Sequence, residues 1–112
     1  MARPMTDTFN TTVIRVRSAY ADKLRAQAKH DSVPLFQITK NAINIFLSDN
    51  PDDQIIAKCE TELGVDCAPK EYTTLNIHKS DWSGLRIRSI EKRWEVSKAM
   101  EKAIAYYLVK MS

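Results

Sequence analysis

In the run Thr12-Val13-Ile14-Arg15-Val16-Arg17 apolar and polar residues alternate from Ile14 onward, with β-branched side chains at most of the six positions. This predicts a strand with Thr12, Ile14 and Val16 on one face and Val13, Arg15 and Arg17 on the other. The alternation returns once, with Thr73, Leu75 and Ile77 against Thr74, Asn76 and His78. After each strand the apolar spacing lengthens to a helical period. Helices are expected over 19–30 and 81–92, capped by Ser18 and Ser80, with apolar stripes of Ala21, Leu24 and Ala28 and of Trp82, Leu85, Ser89 and Ile90. Gly84 weakens the early turns of the second of these. A bend carries Val33 and Trp94 inward, and second helices follow over about 35–47 and 96–110. Their Ile38, Ala42, Ile45, Phe46 and Ala99, Ala103, Tyr106, Tyr107 recur at helical spacing, the tyrosines as core or rim packing.

The two sets of elements are copies. An offset of 61 residues superposes Thr12 on Thr73, Leu24 on Leu85, Arg25 on Arg86, Ala42 on Ala103, Ile43 on Ile104 and Leu47 on Leu108. Each copy is too short to bury its own apolar face, and each holds a lone strand whose backbone groups need a partner. The two are therefore expected to close on each other as one folded unit. Residues 1–10 are expected to form a flexible arm, 11–48 the first repeat, 49–71 a connector and 72–112 the second repeat.

The connector carries its own helix signals: Asn50 as cap, Pro51 in the first turn, Asp52 and Asp53 at the positive end and Gly64 beyond the last turn, with Ile55, Cys59 and Leu63 on one stripe. It also reverses the charge. The segments 1–48, 49–71 and 72–112 carry +4, −5 and +4, although the whole chain is only +3. Two basic repeats joined by an acidic connector suit a polyanionic partner met by the repeats. No apolar run approaches a membrane span, and residues 1–10 lack the build of a secretory signal, so a cytoplasmic protein is expected. Cys59 and Cys67 are then expected to be reduced, although a disulfide is open.

Catalytic chemistry has little to work with. His30 and His78 have no nucleophile or carboxylate at a spacing that enforces contact, and Cys59, Cys67 and His78 lack metal-site spacing. With two glycines in the chain there is no phosphate-cradling loop. Neither an enzyme nor a cofactor is expected. The outward strand faces are more informative, because a two-stranded antiparallel ribbon fits a DNA major groove. Arg15 and Arg17 offer forks to guanine, Asn76 can pair with adenine, Val13 and Thr74 can meet thymine methyls, and His78 can donate or accept. A polar face that simply meets water is the alternative.

The run Leu24-x-x-Gln27-Ala28-x-x-x-Ser32-Val33-Pro34-Leu35-Phe36-Gln37-Ile38-Thr39-Lys40-Asn41-Ala42-Ile43, repeated over Leu85 to Ile104, resembles the helix-turn-helix portion of the ribbon-helix-helix (MetJ/Arc) DNA-binding family. The resemblance implies a mainly α fold with a two-stranded antiparallel ribbon, here as a tandem, single-chain pseudo-dimer. It implies double-stranded DNA as partner and a repressor or accessory DNA-binding factor as function. The base-reading positions it implies are Val13, Arg15, Arg17, Thr74, Asn76 and His78. Its phosphate clamp at the start of the second helix falls on Leu35 and Phe36 and on Ser97 and Lys98. Pro34, which has no N–H, and acidic Glu95 depart from the family at that clamp. They motivate the rival expectation of a protein-interaction module or inhibitor on the same scaffold. Self-association of two pseudo-dimers is a further expected partnership.

Overall fold

The computed structural model describes residues 10–65 and 69–111. The expected arm, apart from Asn10, and Cys67 lie outside these residues. Among the described residues the chain is mainly helical with one two-stranded antiparallel sheet. In order the elements are β1 (Thr11–Arg17), α1 (Ser18–Asp31), α2 (Leu35–Asp49), α3 (Asp53–Leu63), β2 (Tyr72–His78), α4 (Lys79–Lys92) and α5 (Val96–Met111).

The register follows from the inward residues. Ile14, Val16, Leu75 and Ile77 are all buried, and a slip by one residue would expose the whole set. Ile14 lies opposite Leu75, its own equivalent at the 61-residue offset. The ribbon ends match in the same way: Ser18 N–H donates to Glu71 C=O at 2.7 Å, and Lys79 N–H donates to Asn10 C=O at 2.8 Å. Each lone strand thus pairs one edge of its backbone with the other strand.

The helices interlock across the ribbon. α5 packs on β1 and α2 on β2, while α2 and α5 pack on each other. Each repeat's second helix therefore covers the other repeat's strand. Leu24, Ile38, Ala42, Ile43 and Phe46 share one core with Leu85, Ala99, Ala103 and Ile104. Burying a side chain of leucine or isoleucine size stabilises by about 1.5–3 kcal/mol, and here that gain requires both repeats. The α1–α2 and α4–α5 bends repeat the same geometry, with Ser32 and Arg93 in the left-handed region at φ 58° and 61°. There the N–H groups of Val33 and Trp94 return to Ala28 and Ser89 C=O, closing both helix ends.

Several sequence expectations are corrected. Helices α1 and α4 start directly from the strands, so the caps are Arg17 and His78 rather than Ser18 and Ser80. Asn50 terminates α2 in a left-handed conformation, and Asp52 is the residue that caps α3, accepting from Ile55 N–H at 2.9 Å. On α3 the core-facing stripe runs through Ile56 and Cys59, while Ile55 is exposed, because the packing of α3 on α5 selects the covered face. Ile90 is 63% exposed rather than part of the α4 stripe. Gly84 stays helical and makes room for α2: a Cβ there would stand 2.7 Å from Leu47 Cδ1.

The connector docks on the second repeat. α3 packs on α5 and on neither strand. Its acidic side chains find partners there and on α4, with Glu60 at 3.5 Å from Lys102 and Asp53 at 3.6 Å from Lys92. Asp49, at the end of α2, accepts from Tyr106 at 2.6 Å and from Lys110. Cys59 is buried, which raises its thiol pKa.

Candidate nucleic-acid interface

The outward face of the ribbon is uncovered. Val13, Arg15, Thr74 and Asn76 are all exposed, and the register sets Arg15 opposite Thr74 and Val13 opposite Asn76. Four of the six expected base-reading residues therefore share one small surface. Because strand side chains alternate, successive outward residues stand about 6.6–6.8 Å apart. That spacing matches two base steps of a duplex strand, at about 3.4 Å each.

A residue that sequence reasoning missed completes this surface. Tyr72, the first residue of β2, is 45% exposed, and the Arg15 guanidinium lies 4.2 Å from its ring centroid. The stacking holds an otherwise mobile arginine near one orientation. Tyr72 has the same parity as Thr74 and Asn76, which was the available signal.

Arg17 is corrected. Its side chain is only 12% exposed and turns inward rather than onto the ribbon face. It donates to Tyr20 Oη at 3.2 Å and lies 3.5 Å from Glu101 Oε1, while its backbone N–H donates to Glu101 Oε2 at 2.9 Å. Tyr20 in turn donates to Glu60 at 3.0 Å. Burial works against the Arg17 charge, but Glu101 and Tyr20 outweigh it and the pKa is raised. Burial and then Glu60 also raise the pKa of Tyr20. The apolar surroundings of Glu101, which is 2% exposed, make a nearby cation necessary, and Arg17 is the strand residue within reach.

His78 is engaged within the fold through one ring nitrogen. Its Nδ1 accepts from Ser80 N–H at 3.2 Å and lies 2.7 Å from Ser80 Oγ, so the ring caps α4. A neutral ring accepting at Nδ1 keeps Nε2–H as its one donor.

The expected phosphate-binding residues lie at two helix starts with unlike surroundings. Pro34 precedes α2 without a side-chain cap, and Ile38 N–H is the first in the helix to close a turn, on Pro34 C=O at 3.1 Å. Leu35 is partly buried on the core, whereas Phe36 is 38% exposed beside Asn10, Thr11 and His78 in a cleft of about 430 Å³. At the other start, Ser97 lines a cleft of about 470 Å³ with Arg86, Trp94 and Glu95. Lys98 is drawn to Glu101, 3.7 Å away.

Among the described residues no group of three histidine, cysteine or acidic side chains is placed to hold a metal ion, and no helix is long and apolar enough to cross a membrane. No family model, curated protein or solved structure matches this chain.

Proposed function

We propose that this protein is a tandem ribbon-helix-helix pseudo-dimer that binds double-stranded DNA with its ribbon in the major groove, as a repressor or an accessory factor of a DNA-processing complex. The observation that carries this is the uncovered outward face of the ribbon, where Arg15, Thr74, Val13 and Asn76 stand in two adjacent cross-strand rows. Arginine forks onto guanine O6 and N7, asparagine onto adenine N6 and N7, and the methyls of valine and threonine suit the thymine methyl. Interlocked helices and matching ribbon ends support the pseudo-dimer.

Arg15 and Asn76 are equivalents at the 61-residue offset, and each lies one residue from the Ile14–Leu75 centre. In this proposal each sits in one half of the DNA site. One half then prefers guanine and the other adenine, so the target is asymmetric. Arg17, held by Glu101, shapes the end of β1 and leaves base contact to Arg15.

Titration of labelled duplex over a salt series tests the proposal. Affinity should fall steeply as salt rises, because phosphate neutralisation releases counterions. A second reading, a protein-interaction module on the same scaffold, is favoured by Pro34 and Glu95 at the helix starts where phosphate would be held. It predicts no duplex binding at any salt concentration.

A further inference from the structure

The two repeats meet through charged side chains at two equivalent places, and these places hold opposite chemistry. At the first, Arg17 and Tyr20 of repeat one face Glu101 of repeat two, with Arg17 3.5 Å from its carboxylate. The 61-residue offset converts Arg17 to His78, Tyr20 to Asp81 and Glu101 to Lys40. At the second place, accordingly, Asp81 of repeat two faces Lys40 of repeat one, at 3.7 Å. The cation comes from the strand end in one case and from the second helix in the other. Both carboxylates are buried, Glu101 at 2% and Asp81 at 6% exposure, which limits screening by water most at Glu101, since Lys40 is itself 37% exposed.

Pairing like with like would ruin both places. If repeat one met a repeat one from another chain, Lys40 would approach Arg17 and Tyr20, where no carboxylate of the second helix waits. If repeat two met another repeat two, Glu101 would be driven against buried Asp81. Like charges desolvated together are strongly unfavourable, and a buried ion that loses its partner is nearly as costly.

We infer that these two sites form a pairing code through which each repeat accepts the unlike repeat and rejects a copy of itself. The partner that this interface fits is thus a strand-helix-helix segment with the opposite polarity of charge, which the same chain supplies. Part of the apolar core does not make this choice, because Leu24, Ala42 and Ile43 are identical to their equivalents Leu85, Ala103 and Ile104, whereas Ile38 and Ala99, or Phe46 and Tyr107, differ in shape without setting like charges together. Specificity comes from the repulsion built into the wrong pairing. The inference rests on the pseudo-dimer reading of the two repeats and is independent of what the ribbon binds.

Exchange of the two helix charges in the full chain, Lys40→Glu with Glu101→Lys, tests it. Repeats within one chain then face each other with like charges, whereas like repeats from two chains become complementary. Sedimentation velocity over a micromolar concentration series should show twice the mass of the parent chain, and an exchanged chain with the mass and thermal midpoint of the parent would overturn the code. A second comparison holds if the exchange prevents folding. Lys40→Glu alone should lower the midpoint by roughly 10 °C, and adding Asp81→Lys, which reverses that one pair in place, should recover most of the loss. Equal midpoints for the single and double variants would equally overturn it.

Discussion

Replacing Arg15 and Arg17 by alanine, one at a time, should separate two residues that look equivalent in sequence. Arg17→Ala strips a buried carboxylate of its main side-chain cation, since Glu101 is 2% exposed and Arg17 12%. Removing one partner of a buried ion pair usually costs about 3–5 kcal/mol. Glu101 would keep the residue 17 backbone N–H at 2.9 Å and Lys98 at 3.7 Å, so about 2–3 kcal/mol is expected here. Arg15 is exposed and touches the fold through the Tyr72 ring, a contact of about 0.5–1 kcal/mol. Its loss should instead weaken specific duplex binding by about 1–3 kcal/mol. Urea unfolding and duplex titration at one salt concentration, below the unfolding transition, measure both quantities for both variants. Arg17→Ala should keep its duplex affinity within about 0.5 kcal/mol. An Arg17→Ala protein as stable as the parent but deficient in sequence discrimination would refute the inward placement of that side chain.

Other predictions follow from single contacts. Tyr20 has its pKa raised above the ordinary value of 10.0, so above that pH the unfolded chain releases a proton that the folded chain keeps. Stability should therefore fall with rising pH above 10, by about 1.4 kcal/mol per pH unit from this group, and Tyr20→Phe should remove that component from urea melts at alkaline pH. Ser32→Gly and Arg93→Gly should each raise stability by up to about 1 kcal/mol, read from the thermal midpoint, because both positions have positive φ. Asp52→Ala removes the cap on Ile55 N–H and should lower stability by about 1 kcal/mol in the same assay.

The strands, their inward faces and the order of helices were legible because a period of two and a period near 3.6 each mark their residues locally. Antiparallel pairing of the two strands followed from their unpaired backbones. What sequence could not resolve was set by residues distant in the chain. Arg17 shares the parity of Arg15, and Tyr20 together with Glu101, 84 positions away, draws it inward. The facing of Lys40 by Asp81 and of Glu101 by Arg17 is likewise set by the fold and not by any local spacing. Element ends failed for a local reason. Helices α1 and α4 leave the strands without an intervening residue, which moves their caps back onto the strands and draws His78 into capping. The exposure of Tyr72 depends on the ribbon face being uncovered, which no local period marks.

Selection of bound duplexes from a random pool by the full chain measures most directly whether the ribbon reads DNA. The predicted result is a short, non-palindromic consensus with guanine in one half and adenine in the other. Repeating the selection with Asn76→Arg should change the adenine half to guanine and bring the site closer to a palindrome. A pool that shows no enrichment at low salt, or a consensus that Asn76→Arg leaves unchanged, would contradict the account.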